Sequence, residues 1–170
     1  MNSTYYENVD RIRTPNINPY SRVEYREGLY VGYRGYEKNN VEPLFPFGFG
    51  LSYSAVKYSE VKLDKTTINA EGTVKASAVI TNTGSRPVTE TAQLYIRDLV
   101  ASSVRPVWEL KSFQRVTLKP RESKRVTFTL GPDELAFYNQ NVEYVVEPGQ
   151  FHVWIAPHAE AGKPAEFTVR

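Results

Sequence analysis

The stretch "TVKASAVITNTGSRP", residues 73–87, alternates apolar and polar side chains with a period of two. Val74, Ala76, Ala78 and Ile80 fall on one side of an extended chain, and Lys75, Ser77 and Thr81 on the other, until Asn82-Thr83-Gly84 turns it. That pattern predicts a β-strand with one buried face. Downstream, "TETAQLYIRD" repeats it, with Ala92, Leu94 and Ile96 against Thr91, Gln93, Tyr95 and Arg97. In "FQRVTLKPRESKRVTFTL" two more strands flank Lys119 to Ser123 and read as a hairpin, Val116 and Leu118 facing the same core as Val126, Phe128 and Leu130. "EPGQFHVWIAP" places Phe151, Val153 and Ile155 on one face after the Pro148-Gly149 turn, and "EFTVR" closes the sheet. Turn residues recur about every 8 to 14 positions, as they do in antiparallel sandwiches. Only "GPDELAFYNQ" reads as helical, for a single turn opened by Pro132 and Asp133.

About seven short strands without an amphipathic helix predict an all-β, immunoglobulin-like or fibronectin III-like antiparallel sandwich. Such a fold hosts unrelated functions, so it implies no activity. The region before it differs in kind. "PLFPFGFGLSY", residues 43–53, combines prolines and glycines that break regular structure with Leu44, Phe45, Phe47, Phe49, Leu51 and Tyr53. It is too apolar for an exposed linker, and it reads as a clasp wedged between layers, with Pro43 and Pro46 keeping it extended. The preceding "GLYVGYRGY" carries a hint of alternation that would suit an edge strand.

With 21 basic and 19 acidic residues, a net charge of +2 and no charge runs, the chain offers no positive stripe for nucleic acid or an anionic membrane surface. It has no cysteine, hence no disulfide, thiolate metal site or cysteine nucleophile. The polar start "MNSTYYENVDR" does not resemble a signal peptide, and no apolar run is long enough to span a bilayer. His152 and His158 lack a neighbouring carboxylate cluster in sequence, so no metal or cofactor site is expected. No nucleophile elbow or phosphate loop occurs, and catalytic residues are expected to be absent. Asp98 and Glu109 are read as ion-pair partners of Arg97, Arg105 or Lys111.

Taken together, "VEYREGLYVGYRGYEKNNVEPLFPFGFGLSY", "ITNTGSRP", "AQLYIRD", "VRPVWELKSFQRVTLKP", "VTFTL" and "VEPGQFHVWIA" resemble the C-terminal part of the family 3 glycoside hydrolases, which include β-glucosidases and β-xylosidases. The resemblance runs from about Val23 to Ala156, in the family's order. It implies residues 1–54 as a connecting segment with the remnant of an α/β domain, and 55–170 as a fibronectin III-like sandwich. The nucleophilic Asp and the acid/base Glu of such a parent, which would carry out retaining hydrolysis, sit in upstream domains absent from this chain. Implied partners are those domains, with carbohydrate and a homodimer as further readings, and a periplasmic or secreted parent fits. Five positions depart from the usual pattern: Gly35 stands where an aromatic is common, Glu37 where Asp is, Ser112 and Arg121 where Gly is, and Tyr138 where Trp is frequent; the loss of Gly at 121 puts a tight turn there in question.

The residues expected to contact a neighbouring domain are Tyr25, Glu27, Tyr33, Arg34, Phe45, Phe47, Phe49, Leu51 and Tyr53. Glu27, between Tyr25 and Tyr30, has the strongest claim among the carboxylates to an unusual environment. Trp108 and Trp154 are the candidate sugar contacts, since pyranose rings stack on exposed aromatics; Trp154 falls opposite the buried face of its strand. On that reading the chain is a carbohydrate-binding module; a third reading is an interaction or adhesion module that forms oligomers.

Overall fold

The computed structural model describes residues 26–170. Strands β1 (Val56–Tyr58), β2 (Lys62–Leu63), β3 (Thr67–Ile68), β4 (Val74–Asn82), β5 (Val88–Asp98), β6 (Glu109–Leu118) and β7 (Ser123–Leu130) come first. They are followed by β8 (Phe137–Tyr138), β9 (Tyr144–Val145), β10 (Gly149–Ala156) and β11 (Ala165–Val169). One sheet is built on β4, which takes β1 and β2 along one edge and β7 along the other. The second runs β3-β11-β10-β5-β6, antiparallel except between β3 and β11. β8 and β9 form a separate ribbon. The two large sheets enclose Val74, Ala76, Ala78 and Ile80 of β4, Leu94 and Ile96 of β5, Phe128 and Leu130 of β7, and Phe151, Val153 and Ile155 of β10. These are the inward positions predicted from the period-two pattern, and the chain folds as the expected all-β sandwich.

One strand relation differs. β6 and β7 do not pair as a hairpin: β6 bonds to β5 and β7 to β4, so the Lys119–Glu122 corner carries the chain from one sheet to the other. Both strands still face one core, from opposite sides, which is why alternation alone could not separate a hairpin from a crossing. The corner keeps its tight turn without glycine. Arg121 adopts φ 64°, and the Glu122 side chain accepts from the Lys119 N–H at 2.6 Å. A second joint lies at Asn82, fully buried at the end of β4. Its Nδ2 donates to the carbonyls of Arg86 (2.7 Å) and Lys119 (3.1 Å), while its Oδ1 accepts from the Ser54 hydroxyl (2.6 Å) and the Gly84 N–H (3.0 Å).

Two short helices complete the fold among the described residues. α2 (Pro132–Leu135) is the expected turn, its Glu134 carboxylate accepting from the Gly131 N–H at 2.8 Å. α1 (Tyr33–Lys38) occupies the segment where alternation suggested an edge strand. Gly32, at φ 64°, marks its start, and Asn39 closes it through a 2.8 Å bond from Nδ2 to the Gly35 carbonyl.

Candidate interdomain face

The outward side of the five-stranded sheet is where the N-terminal segment lies. Strand alternation turns Gln93 and Tyr95 of β5 and His152, Trp154 and Ala156 of β10 to this side. A sandwich ordinarily leaves such positions wet, yet Gln93, Tyr95, Trp154 and Ala156 are buried. The cover comes from three pieces of chain. Phe47 and Gly48 lie across β5, with the Ala159 N–H donating to the Phe47 carbonyl at 2.9 Å and Gln93 Nε2 reaching the Gly48 carbonyl at 3.3 Å. The same Nε2 donates to the Pro157 carbonyl at 2.5 Å, and the Tyr95 hydroxyl donates to Gln93 Oε1 at 2.5 Å. Replacing Gly48 would strain the backbone and displace the Gln93 amide: a Cβ would fall 2.3 Å from Gln93 Oε1, and the φ is +82°.

The third piece is the loop before β6. Trp108 packs on Trp154 with ring centroids 4.2 Å apart and meets Tyr95 edge-on at 5.6 Å. Arg105 holds the loop in place: its guanidinium pairs with Glu109 at 2.5 Å and lies 4.5 Å over the Phe137 ring, and its carbonyl accepts from the Tyr30 hydroxyl at 3.3 Å. Lys111 takes the other oxygen of Glu109. Burial pushes the Glu109 carboxyl up, but the two cations outweigh it and hold the group below the usual range. Glu109 is therefore a structural ion-pair partner, as expected. Asp98 is not: one of its oxygens is buried without a partner, and burial raises its pKa.

Of the residues expected at a domain contact, Tyr25 lies outside the described residues. Tyr33 stacks on Phe47 at 5.0 Å, Phe45 on Phe49 at 5.2 Å, and Phe49 leans on His158 at 5.8 Å. These rings lie on the surface of the sandwich and do not wedge between its layers. Phe47 and Phe49 are each 41% exposed, Phe45 is 64%, Leu51 93% and Tyr53 92%. The physical reason is that the gap between sheets is already filled by side chains from the strands, so the segment can reach only the outer face. Leu29, Val31, Tyr36 and Leu44 of the same segment are exposed as well.

A carboxylate in an unusual environment is Glu37. Glu27 closes a turn through its carbonyl, which accepts from the Tyr30 N–H at 3.0 Å. Glu37 has one carboxylate oxygen buried without a partner; burial and the nearby Glu160 carboxylate push it up to about 7, against the opposing charge of Arg34. The Tyr95 hydroxyl is pushed up to about 12, by burial first and by Glu37 second. The folded chain thus holds a proton on Glu37 up to about pH 7, where an unfolded glutamate releases it near 4.5. Between those values the folded state binds more protons, so stability falls as pH rises through the window and is level above it. Glu37→Gln should flatten that part of the profile in urea unfolding measured from about pH 4.5 to 8; an unchanged slope would assign it to other groups.

Trp154 is not open to a sugar ring. Trp154 is 6% exposed beneath Trp108, with His152 edge-on beside it at 5.6 Å. It does point away from the core, as alternation requires, but the covering loop removes it from solvent. Sequence reasoning missed Leu110 (37% exposed) and Phe113 (62%), which share the outward side with Gln93 and Tyr95. The signal was available for Phe113, an odd position in a strand whose inward residues are Val116 and Leu118. For Leu110 it was not, because a register shift opposite Leu94 and Tyr95 reverses the parity.

Comparison with known proteins places this architecture. Residues 90–159 match the model of the fibronectin type III-like domain. The thermostable β-glucosidase B of Acetivibrio thermocellus is 44% identical over 79% of this chain and 18% of its own. A β-xylosidase of Formosa agariphila is likewise 44% identical, over 89% of this chain and 21% of its own. The chain carries a fibronectin type III-like domain of the kind found in family 3 glycoside hydrolases. Among solved structures, the GH3 β-glucosidase of Bifidobacterium adolescentis superposes with a TM-score of 0.75 at 33% identity, covering 84% of this chain and 21% of that one. The module spans about a fifth of the length of the relatives it matches.

Proposed function

We propose that this fibronectin type III-like module is non-catalytic and serves to dock and stabilise the catalytic domains of a family 3 β-glycosidase of the β-glucosidase type. On this reading residues 1–54 are a connecting segment with the remnant of a preceding α/β domain, and residues 55–170 the buttressing sandwich. The observation that carries this reading is the uncovered aromatic surface from Leu29 to Tyr53, held in place by backbone bonds at Phe47 and Gly48 and by the stacks around it. Isolated soluble domains rarely leave so much contiguous apolar area in water. In each relative about four-fifths of the chain lies outside the matched stretch, enough for domains that could cover this surface. Their names give β-glucosidase and β-xylosidase, hence the parent chemistry of β-glycoside hydrolysis. Amide hydrogen exchange over residues 29–50, compared between this chain alone and the full-length parent, tests the reading.

A further inference from the structure

The outward side of the four-stranded sheet, away from the aromatic face, is built differently. On β4 the outward positions are Lys75, Ser77, Val79 and Thr81, since Ala76, Ala78 and Ile80 point into the core. Register sets Lys62 of β2 opposite Ser77, Arg125 of β7 opposite Val79 and Lys57 of β1 opposite Thr81. Each step along β4 therefore carries one cation, at a rise of about 6.6 Å for every two residues, and the row is about 20 Å long. Lys57, Lys62, Lys75 and Arg125 are exposed, and among the described residues none of them has an ion-pair partner. Lys124 does not add to the row, because Glu122 takes it at 3.5 Å. The carboxylates beside the row are Asp64, which accepts from the Lys75 N–H at 2.7 Å, and Glu60 in the link between β1 and β2, so the cations outnumber them two to one. The four are scattered between residues 57 and 125 without a run, and only the fold gathers them.

We propose that this row binds a linear polysaccharide bearing carboxylates, a polyuronate, laid along the strands of the four-stranded sheet. Charge selects an anion, since four unpaired cations on one flat face attract the opposite sign. Between the cations the outward positions of β4 and β7 are mostly hydroxyls, Ser77, Thr81, Ser123, Thr127 and Thr129, which donate and accept as sugar hydroxyls do. One nitrogen of Arg125 reaches Ser77 Oγ at 3.4 Å, which leaves the rest of its fork for a carboxylate. The same positions disfavour other polyanions. They hold no aromatic ring on which a nucleic-acid base would stack, and their one apolar side chain, Val79, is half-buried and gives a lipid surface nothing to take up. The inference stands apart from the docking function, because it concerns the other sheet.

The test is fluorescence anisotropy of labelled oligogalacturonate titrated with the 170-residue chain. Binding should be measurable at about 50 mM salt and weaker at about 200 mM, while labelled dextran, which is uncharged, should not bind. Lys62→Gln combined with Arg125→Gln should weaken binding about tenfold, at roughly threefold for each exposed charge, with the thermal midpoint unchanged because both side chains stand in water. Lys163→Gln, exposed in the loop before β11, should alter binding less than about twofold. If the double variant's midpoint falls, Lys57→Gln with Lys75→Gln must reproduce the weakening at an unchanged midpoint, or the inference falls. Absence of binding to oligogalacturonate at the lower salt overturns it, and so does a loss with Lys163→Gln equal to that of Lys62→Gln alone, which would reduce the effect to net charge. Tighter binding of polyaspartate or single-stranded DNA of the same length would make this a general polyanion face and overturn the assignment to a glycan.

Discussion

Trp154→Ala is expected to lower the unfolding free energy by about 3–5 kcal/mol, the range for removing a buried aromatic. The site cannot collapse to fill the space, because its walls belong to separate pieces of chain. Beneath it lies the β10 backbone, above it the Trp108 ring at 4.2 Å, and beside it Tyr95 and Ala159. With Trp154 gone, Trp108 loses its support, and with it the loop that carries Arg105 and the Tyr30 hydroxyl contact. A chemical melt should show the loss, and Trp108 fluorescence should shift to the red in the folded baseline. Trp154→Phe should recover much of the stability. Glucan-binding assays on Trp154→Ala would report unfolding and not a removed sugar contact, so they cannot support a carbohydrate platform here.

Asn82→Ala should cost about 2–4 kcal/mol through a different cause. The asparagine fills no large space; it completes hydrogen bonds for groups from four places at once. Removing its amide strands the Arg86 and Lys119 carbonyls and the Gly84 N–H, and frees the Ser54 hydroxyl that anchors the end of the connecting segment. Asn82→Asp separates hydrogen bonding from volume. It has the same shape, but it directs an acceptor at two carbonyls and introduces a buried charge, so its loss should equal or exceed that of the alanine variant. If Asn82→Asp proves near wild type in urea unfolding, the joint is held by packing and this account of it is wrong.

How much was legible in the sequence depends on which interaction positions a residue. Where one buried face decides, as in β4, β5 and β10, the period-two pattern is sufficient: Val74 to Ile80 and Phe151 to Ile155 point inward as read. Where partners are remote, it is not. Nothing local tells β6 to pair with β5 and not β7, since both choices bury the same Val116, Leu118, Val126 and Phe128. The bulge at Lys111 is a property of two strands in register and inverts the reading of Leu110. Helix α1 replaces an expected strand because one turn closed by Asn39 fits a segment that has no sheet edge to join. The aromatic run, read as too apolar for an exposed linker and as wedged between layers, lies outside the sandwich with Phe45, Leu51 and Tyr53 exposed, because the core is already filled. Trp154 shows the same limit in reverse. Its outward direction was readable, and its burial was not, because the cover comes from residues about fifty positions away.

The docking account turns on whether another domain covers the aromatic surface. Amide hydrogen exchange of peptides spanning residues 29–50, followed in the full-length parent and in the 170-residue chain under the same conditions, measures that directly. The account predicts exchange at least about tenfold slower in the parent across Val31 to Phe49, with peptides from β4 and β10 protected alike in both. Equal exchange of the segment in the two proteins would contradict it.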